Sequence, residues 1–146
     1  MTAPLLVALD PFLPLRGLEG TWAVEERSYG LDRRPTEARG MKIFVRRGLG
    51  GTALILGTGG TKPEEQLIVR RAGKGFVAWS FVAGLPRAIE WTGGWSKDGL
   101  VLEAKADLDL RLLIQPNAKG WQWTLQAEVA GEWLTSTQRT LTRPSR

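Results

Sequence analysis

From Gly20 onward, apolar and polar side chains alternate with a period of two, the spacing at which a β-strand turns successive residues to opposite faces. In the first such segment Trp22, Val24, Glu26 and Ser28 share one face, and Ala23, Glu25, Arg27 and Tyr29 share the other. Further segments follow at 39–47, 51–58, 65–72, 75–82, 87–95, 100–106, 108–115, 120–129 and 132–142, so the pattern predicts ten strands. Alternation is cleanest at 120–129, where Trp121, Trp123, Leu125, Ala127 and Val129 oppose Gln122, Thr124, Gln126 and Glu128. Leu100, Leu102, Ala104 and Ala106, then Leu108, Leu110, Leu112 and Ile114, repeat the motif and imply one dry side.

The separators carry turn chemistry. Gly48 with Gly50-Gly51, Gly59-Gly60, Gly73-Lys74-Gly75, Gly84-Leu85-Pro86, Lys97-Asp98-Gly99, Pro116 to Gly120 and Ala130-Gly131 supply positive or fixed φ at short intervals. Most connections are therefore hairpin-length, and the chain predicts an all-β, up-and-down antiparallel meander. An open sheet of ten strands would leave two long edges to template aggregation, so the expected form is a closed barrel. Ahead of it, residues 3–9 have the composition of a short helix. Pro11 and Pro14 separate this from a turn-like piece at 12–16, and the apolar lead-in is expected to cap or plug the barrel. At 146 residues the chain is the size of one domain able to bury roughly 68–70% of its unfolded surface. Residues 1–17 are expected to form the helical lead-in of that domain, 18–143 the barrel and 144–146 a tail.

Inventory then removes much chemistry. The chain has no Cys and no His, which excludes disulfides, thiolate metal sites, Cys nucleophiles and the usual general base and haem ligand. No metal or cofactor is expected, and no catalytic residues fall at a recognisable spacing. The run Leu5 to Leu9 lacks a basic flank and Pro11 cuts it, so no signal peptide is expected. No apolar stretch is long enough for a membrane helix, and the expected location is cytoplasmic. The net charge is +5 with a pI of about 10.1, yet Arg33-Arg34, Arg46-Arg47 and Arg70-Arg71 are separated pairs. Adjacent strand residues point to opposite faces, so the doublets build no patch, and the expectation is against a nucleic-acid partner. A homodimer is compatible with the sequence.

The opening Leu18-Glu19-Gly20-Thr21-Trp22 resembles the Gly-x-Trp signature of the calycin superfamily, the lipocalins and fatty-acid-binding proteins. Over about residues 15–143 the chain is similar to small bacterial calycin-like barrels of no assigned function, through that opening, Leu49-Gly50-Gly51-Thr52, the Trp-Ser-x-Asp-Gly centre at 95–99 and the Arg-Thr-Leu-Thr-Arg ending at 139–143. The resemblance implies that Gly20 and Trp22 are structural and that an arginine near the last strand packs on Trp22. Arg139 or Arg143 matches it, and Arg139 is favoured because Trp133, Thr135, Thr137, Arg139 and Leu141 fall on one face by period two. The chain departs from these families in having no histidine to hold haem and neither the disulfide nor the expected signal peptide of secreted lipocalins, and the Arg-and-Tyr carboxylate cradle of the fatty-acid-binding proteins would have only one tyrosine, Tyr29, to draw on.

Seven tryptophans are the excess to be explained. They either fill the barrel or line a cavity for a small, largely hydrophobic ligand. The candidate lining is Trp79, Trp91, Trp121, Trp123 and Trp133. Glu90, Ser80 and Glu26 are polar residues on otherwise apolar faces, and a carboxylate inside a barrel must be paired. Glu90 with Arg139 and a tryptophan N–H is the expected ligand anchor. Two alternatives remain: an isomerase or hydratase using Glu90 as base, and an interaction module whose core is filled.

Overall fold

The protein is described here by a computed structural model covering residues 12–30, 32–59 and 64–144. The expected helix at 3–9 lies outside the described residues. Within them the lead-in is a 3-10 helix, Leu13–Leu18, with Pro14 in its first turn, where a missing N–H costs nothing. No α-helix occurs among the described residues.

Ten strands follow: β1 (Gly20–Ser28), β2 (Arg39–Gly48), β3 (Ala53–Thr58), β4 (Glu65–Ala72), β5 (Gly75–Val82), β6 (Ile89–Ser96), β7 (Gly99–Lys105), β8 (Asp109–Asn117), β9 (Gly120–Val129) and β10 (Glu132–Thr142). Each pairs antiparallel with the next, and β10 returns to pair with β1, Val24 opposite Leu141 and Glu26 opposite Arg139. The barrel is closed and has no free edge. Expected and observed strand ends differ by no more than two residues, the two-residue shifts falling at the starts of β3 and β6 and the end of β8. Positive φ at Leu49, Gly50 and Gly51 bends the Gly-rich stretch into a short 3-10 turn, so β3 starts at Ala53 rather than Gly51.

The barrel has two unlike halves. At the end where β1 begins, the 3-10 helix lies across the opening and buries Phe12, Leu15 and Leu18, each no more than 1% exposed. Below them Trp22, Val45, Val69, Leu100, Ile114 and Leu141 fill the interior. Phe12 stacks on Phe76 at 5.6 Å, and Phe76 meets Trp95 edge-on at 5.1 Å. Burying one such side chain contributes roughly 1.5–3 kcal/mol, so this half is the anchor of the fold. Toward the other end the same inward positions become polar: Glu26, Thr58, Glu65, Ser80, Thr137 and Arg139. That end is open.

Candidate functional site

The closed end carries the Gly-x-Trp arrangement. Trp22 Nε1 donates to the Leu18 carbonyl at 2.7 Å, tying the plug to β1. The guanidinium over the Trp22 ring belongs to Arg143, 3.8 Å from its centroid, and its Nη2 donates to the carbonyls of Gly17 at 3.2 Å and Glu19 at 3.1 Å. Gly20 has φ 121°, and a Cβ there would lie 2.6 Å from Arg143 Nη1, so the glycine gives the arginine its passage. This corrects the expectation that favoured Arg139 for that role. Arg139 is too far along β10: it pairs with Trp123 and Glu26, two residues beyond Leu141, which itself pairs with Val24.

The open half holds a cavity of about 400 Å³. Trp91, Trp123, Leu112 and Leu125 form apolar wall, and Arg139 lies 5.1 Å over the Trp123 ring. Arg139 Nε donates to Glu26 Oε2 at 2.6 Å, and its Nη2 donates to Glu65 Oε2 at 2.7 Å. Three strands, β1, β4 and β10, thus meet in one ion cluster that exists only because the barrel closes. At the rim Arg39 Nη2 donates to Glu26 Oε1 at 3.1 Å, and Arg39 Nη1 lies 3.7 Å from Glu64. Thr58 Oγ1 accepts from the backbone N–H groups of Glu64 and Glu65, which fixes the start of β4 and hence the position of the Glu65 carboxylate.

Burial opposes the charge on Arg139. The attraction and hydrogen bond of Glu65, followed by those of Glu26, outweigh it and raise the guanidinium above its ordinary range. Because the shift is upward, the stability it represents is complete below the ordinary arginine range and is lost only as pH rises beyond it. The site therefore keeps its cation at every acidic or neutral pH.

Of the expected lining, Trp91, Trp123 and Arg139 line this cavity. The indole N–H of Trp91 is already engaged, donating to Ser80 Oγ at 3.0 Å. Trp121 lies at the closed end beside the plug, lining a separate cleft of about 260 Å³ with Pro14, Leu15 and Trp95. Trp79 and Glu90 are opposite each other on the outer face of β5 and β6, and Glu90 is exposed. The anchor of Glu90 with Arg139 does not form: Glu90 neighbours Trp91, and only one of two adjacent strand residues can face inward. Trp133 is also outside. A β-bulge between Thr135 and Thr137 adds one residue to β10, so Trp133 pairs with Glu128 on the outer face, where Arg111 lies 4.3 Å over its ring. Glu90 and Trp133 share an outer cleft of about 350 Å³.

Glu65, Glu64 and Arg39 were absent from the expected site. Glu65 had a readable signal, since it heads the inward face that continues with Leu67 and Val69. Glu26 and Ser80 were marked as polar on apolar faces, and both do line the cavity.

In comparisons with known proteins, no family model matches the chain and no curated protein matches it. Its class is thus set by fold: a closed antiparallel barrel of ten strands, consistent with a calycin-like fold. No helix among the described residues is long and apolar enough to cross a membrane. No cluster of metal-ligating side chains is found among them either.

Proposed function

We propose that the protein is a calycin-like binding protein whose open half takes up one small, largely apolar ligand. The observation that supports this is the cavity of about 400 Å³, apolar along Trp91, Trp123, Leu112 and Leu125, with its charged groups gathered around Arg139, Glu26 and Glu65 and at the rim, and with the hydroxyls of Thr58, Ser80 and Thr137 in the same lining. Its size and its few convergent polar groups match what small-molecule sites require. The apolar tail of the ligand lies against the two indoles, and its polar end meets the ion cluster. We expect the cytoplasm to be the compartment, in keeping with a chain that contains no cysteine.

Titration with the neutral dye Nile red tests this. The expected result is saturable one-to-one binding that quenches tryptophan fluorescence. A Leu125→Trp variant, which adds bulk to the cavity wall, should lose the binding while keeping the circular dichroism of the barrel. Absence of saturable binding by the wild-type protein would overturn the reading.

A further inference from the structure

We infer that the cavity selects ligands whose polar end is uncharged and discriminates against those ending in a carboxylate. This rests on the ligand-binding reading above and specifies its ligand.

The argument is one of charge and unused valence. Arg139 is the most deeply buried cation lining the cavity, with a side chain 10% exposed, and it already holds two carboxylates, Glu26 at 2.6 Å and Glu65 at 2.7 Å. Arg39 adds a positive charge at the rim, 55% exposed, and is itself held by Glu26 and Glu64. Two arginines against three glutamates leave the charged lining of the cavity one unit negative. A ligand carboxylate approaching Arg139 would meet the attraction of Arg139 and of the rim Arg39 against the repulsion of Glu26, Glu64 and Glu65, in surroundings that screen charge less than bulk water does. A guanidinium that served a fatty acid would need its carboxylate partners removed.

Hydrogen-bonding capacity nevertheless remains. Among the described residues Arg139 Nη1 has no acceptor and Glu65 Oε1 has no donor. No fully buried side-chain nitrogen or oxygen among them lacks a partner, so both atoms are accessible. Arg139 and Glu65 are bonded to each other at 2.7 Å, so one ion pair carries a free donor and a free acceptor, which matches a head that both accepts and donates without carrying charge: a hydroxyl or a carboxamide.

The experiment compares decanol, decanamide, methyl decanoate and decanoate as competitors of bound Nile red at neutral pH. These probes share an acyl or alkyl chain and differ at the head. Decanol and decanamide should displace the dye, and decanoate should be at least about tenfold weaker than either. Methyl decanoate, which removes the charge and keeps the chain, should bind at least about tenfold tighter than decanoate on the unmodified protein. Glu65→Gln keeps an acceptor for Arg139 and removes one negative charge, and should narrow the decanoate deficit to about threefold or less. Decanoate binding as tightly as decanol or the ester overturns this inference and leaves the ligand-binding reading standing. An unchanged deficit in Glu65→Gln also overturns it. Failure of all four probes to displace bound Nile red overturns this inference alone, and failure of the unmodified protein to bind Nile red overturns both.

Discussion

Two arginines near the end of the chain, Arg139 and Arg143, each lie over a tryptophan, and they divide the barrel between them. Arg143 covers Trp22 at 3.8 Å, is exposed to solvent, and gives its hydrogen bonds to backbone carbonyls of the plug. Arg139 covers Trp123 at 5.1 Å, is 8% exposed, and gives its hydrogen bonds to two carboxylates. The first pair closes the protein with backbone partners that any sequence would provide. The second depends on Glu26 and Glu65 standing where they do, 113 and 74 residues away in the chain. An arginine on a tryptophan is thus a seal at one end of the same cylinder and a lining of the cavity at the other.

The sharpest way to break this comparison is to remove the indole at the closed end. Trp22 is 3% exposed, so Trp22→Ala leaves a large cavity and removes the bond to Leu18. The expected cost is about 4 kcal/mol, read as a lower midpoint in urea unfolding. Next comes Arg139→Met. It takes from Glu26 and Glu65 the cation they share, leaving Glu26 only the rim Arg39, at side-chain exposures of 12% and 23%. Breaking such a pair should cost about 3 kcal/mol, somewhat less at the mouth, where water reaches Glu65. Replacing both glutamates with Gln in the same chain should recover most of that loss. If the triple variant stayed as unstable as the single one, the cluster would matter for packing rather than charge.

Smaller effects separate the two ends further. Ser80→Ala leaves the Trp91 N–H without its acceptor, and should cost about 1 kcal/mol and shift tryptophan emission, since Trp91 is 3% exposed. Arg143→Ala removes a stacked cation and two bonds to carbonyls at an exposed position. About 1 kcal/mol of stability should go, with affinity for a cavity probe unchanged.

How much of this could be read from residue order follows from the same contrast. The strands and the plug are local or nearly so, and closure follows from the number of strands. Alternation in Trp121, Trp123 and Leu125 and turn residues such as Asp98-Gly99 mark them without knowledge of any partner. The ion cluster is not local. Glu65 stands at the head of a strand, where period two has barely started, and nothing in its surroundings says that Arg139 will arrive from β10. Trp133 fails for a different reason: the extra residue at the bulge inverts the face of everything before it on β10, and Ser136 carries no turn signal to announce it. Choosing between Arg139 and Arg143 for Trp22 required counting pleats up a strand whose register only the closed barrel fixes.

The smallest expected effect tests the register itself. Glu90 and Trp91 are adjacent on β6, and the structure turns Trp91 into the cavity and Glu90 outward, opposite Trp79. An exposed carboxylate on an outer face, with no ion pair to another described residue, should tolerate loss of its charge, so Glu90→Gln should change stability by no more than about 0.5 kcal/mol. It should leave Nile red affinity unaltered, because the strand itself lies between that carboxylate and the cavity. Glu65→Gln, by contrast, alters a side chain that lines the cavity. Running both variants against decanoate and decanol separates inside from outside with one atom exchanged in each. A tenfold change in Glu90→Gln with none in Glu65→Gln would mean that β6 presents its other face to the interior, and Trp91 would then have to leave the cavity along with the argument built on it.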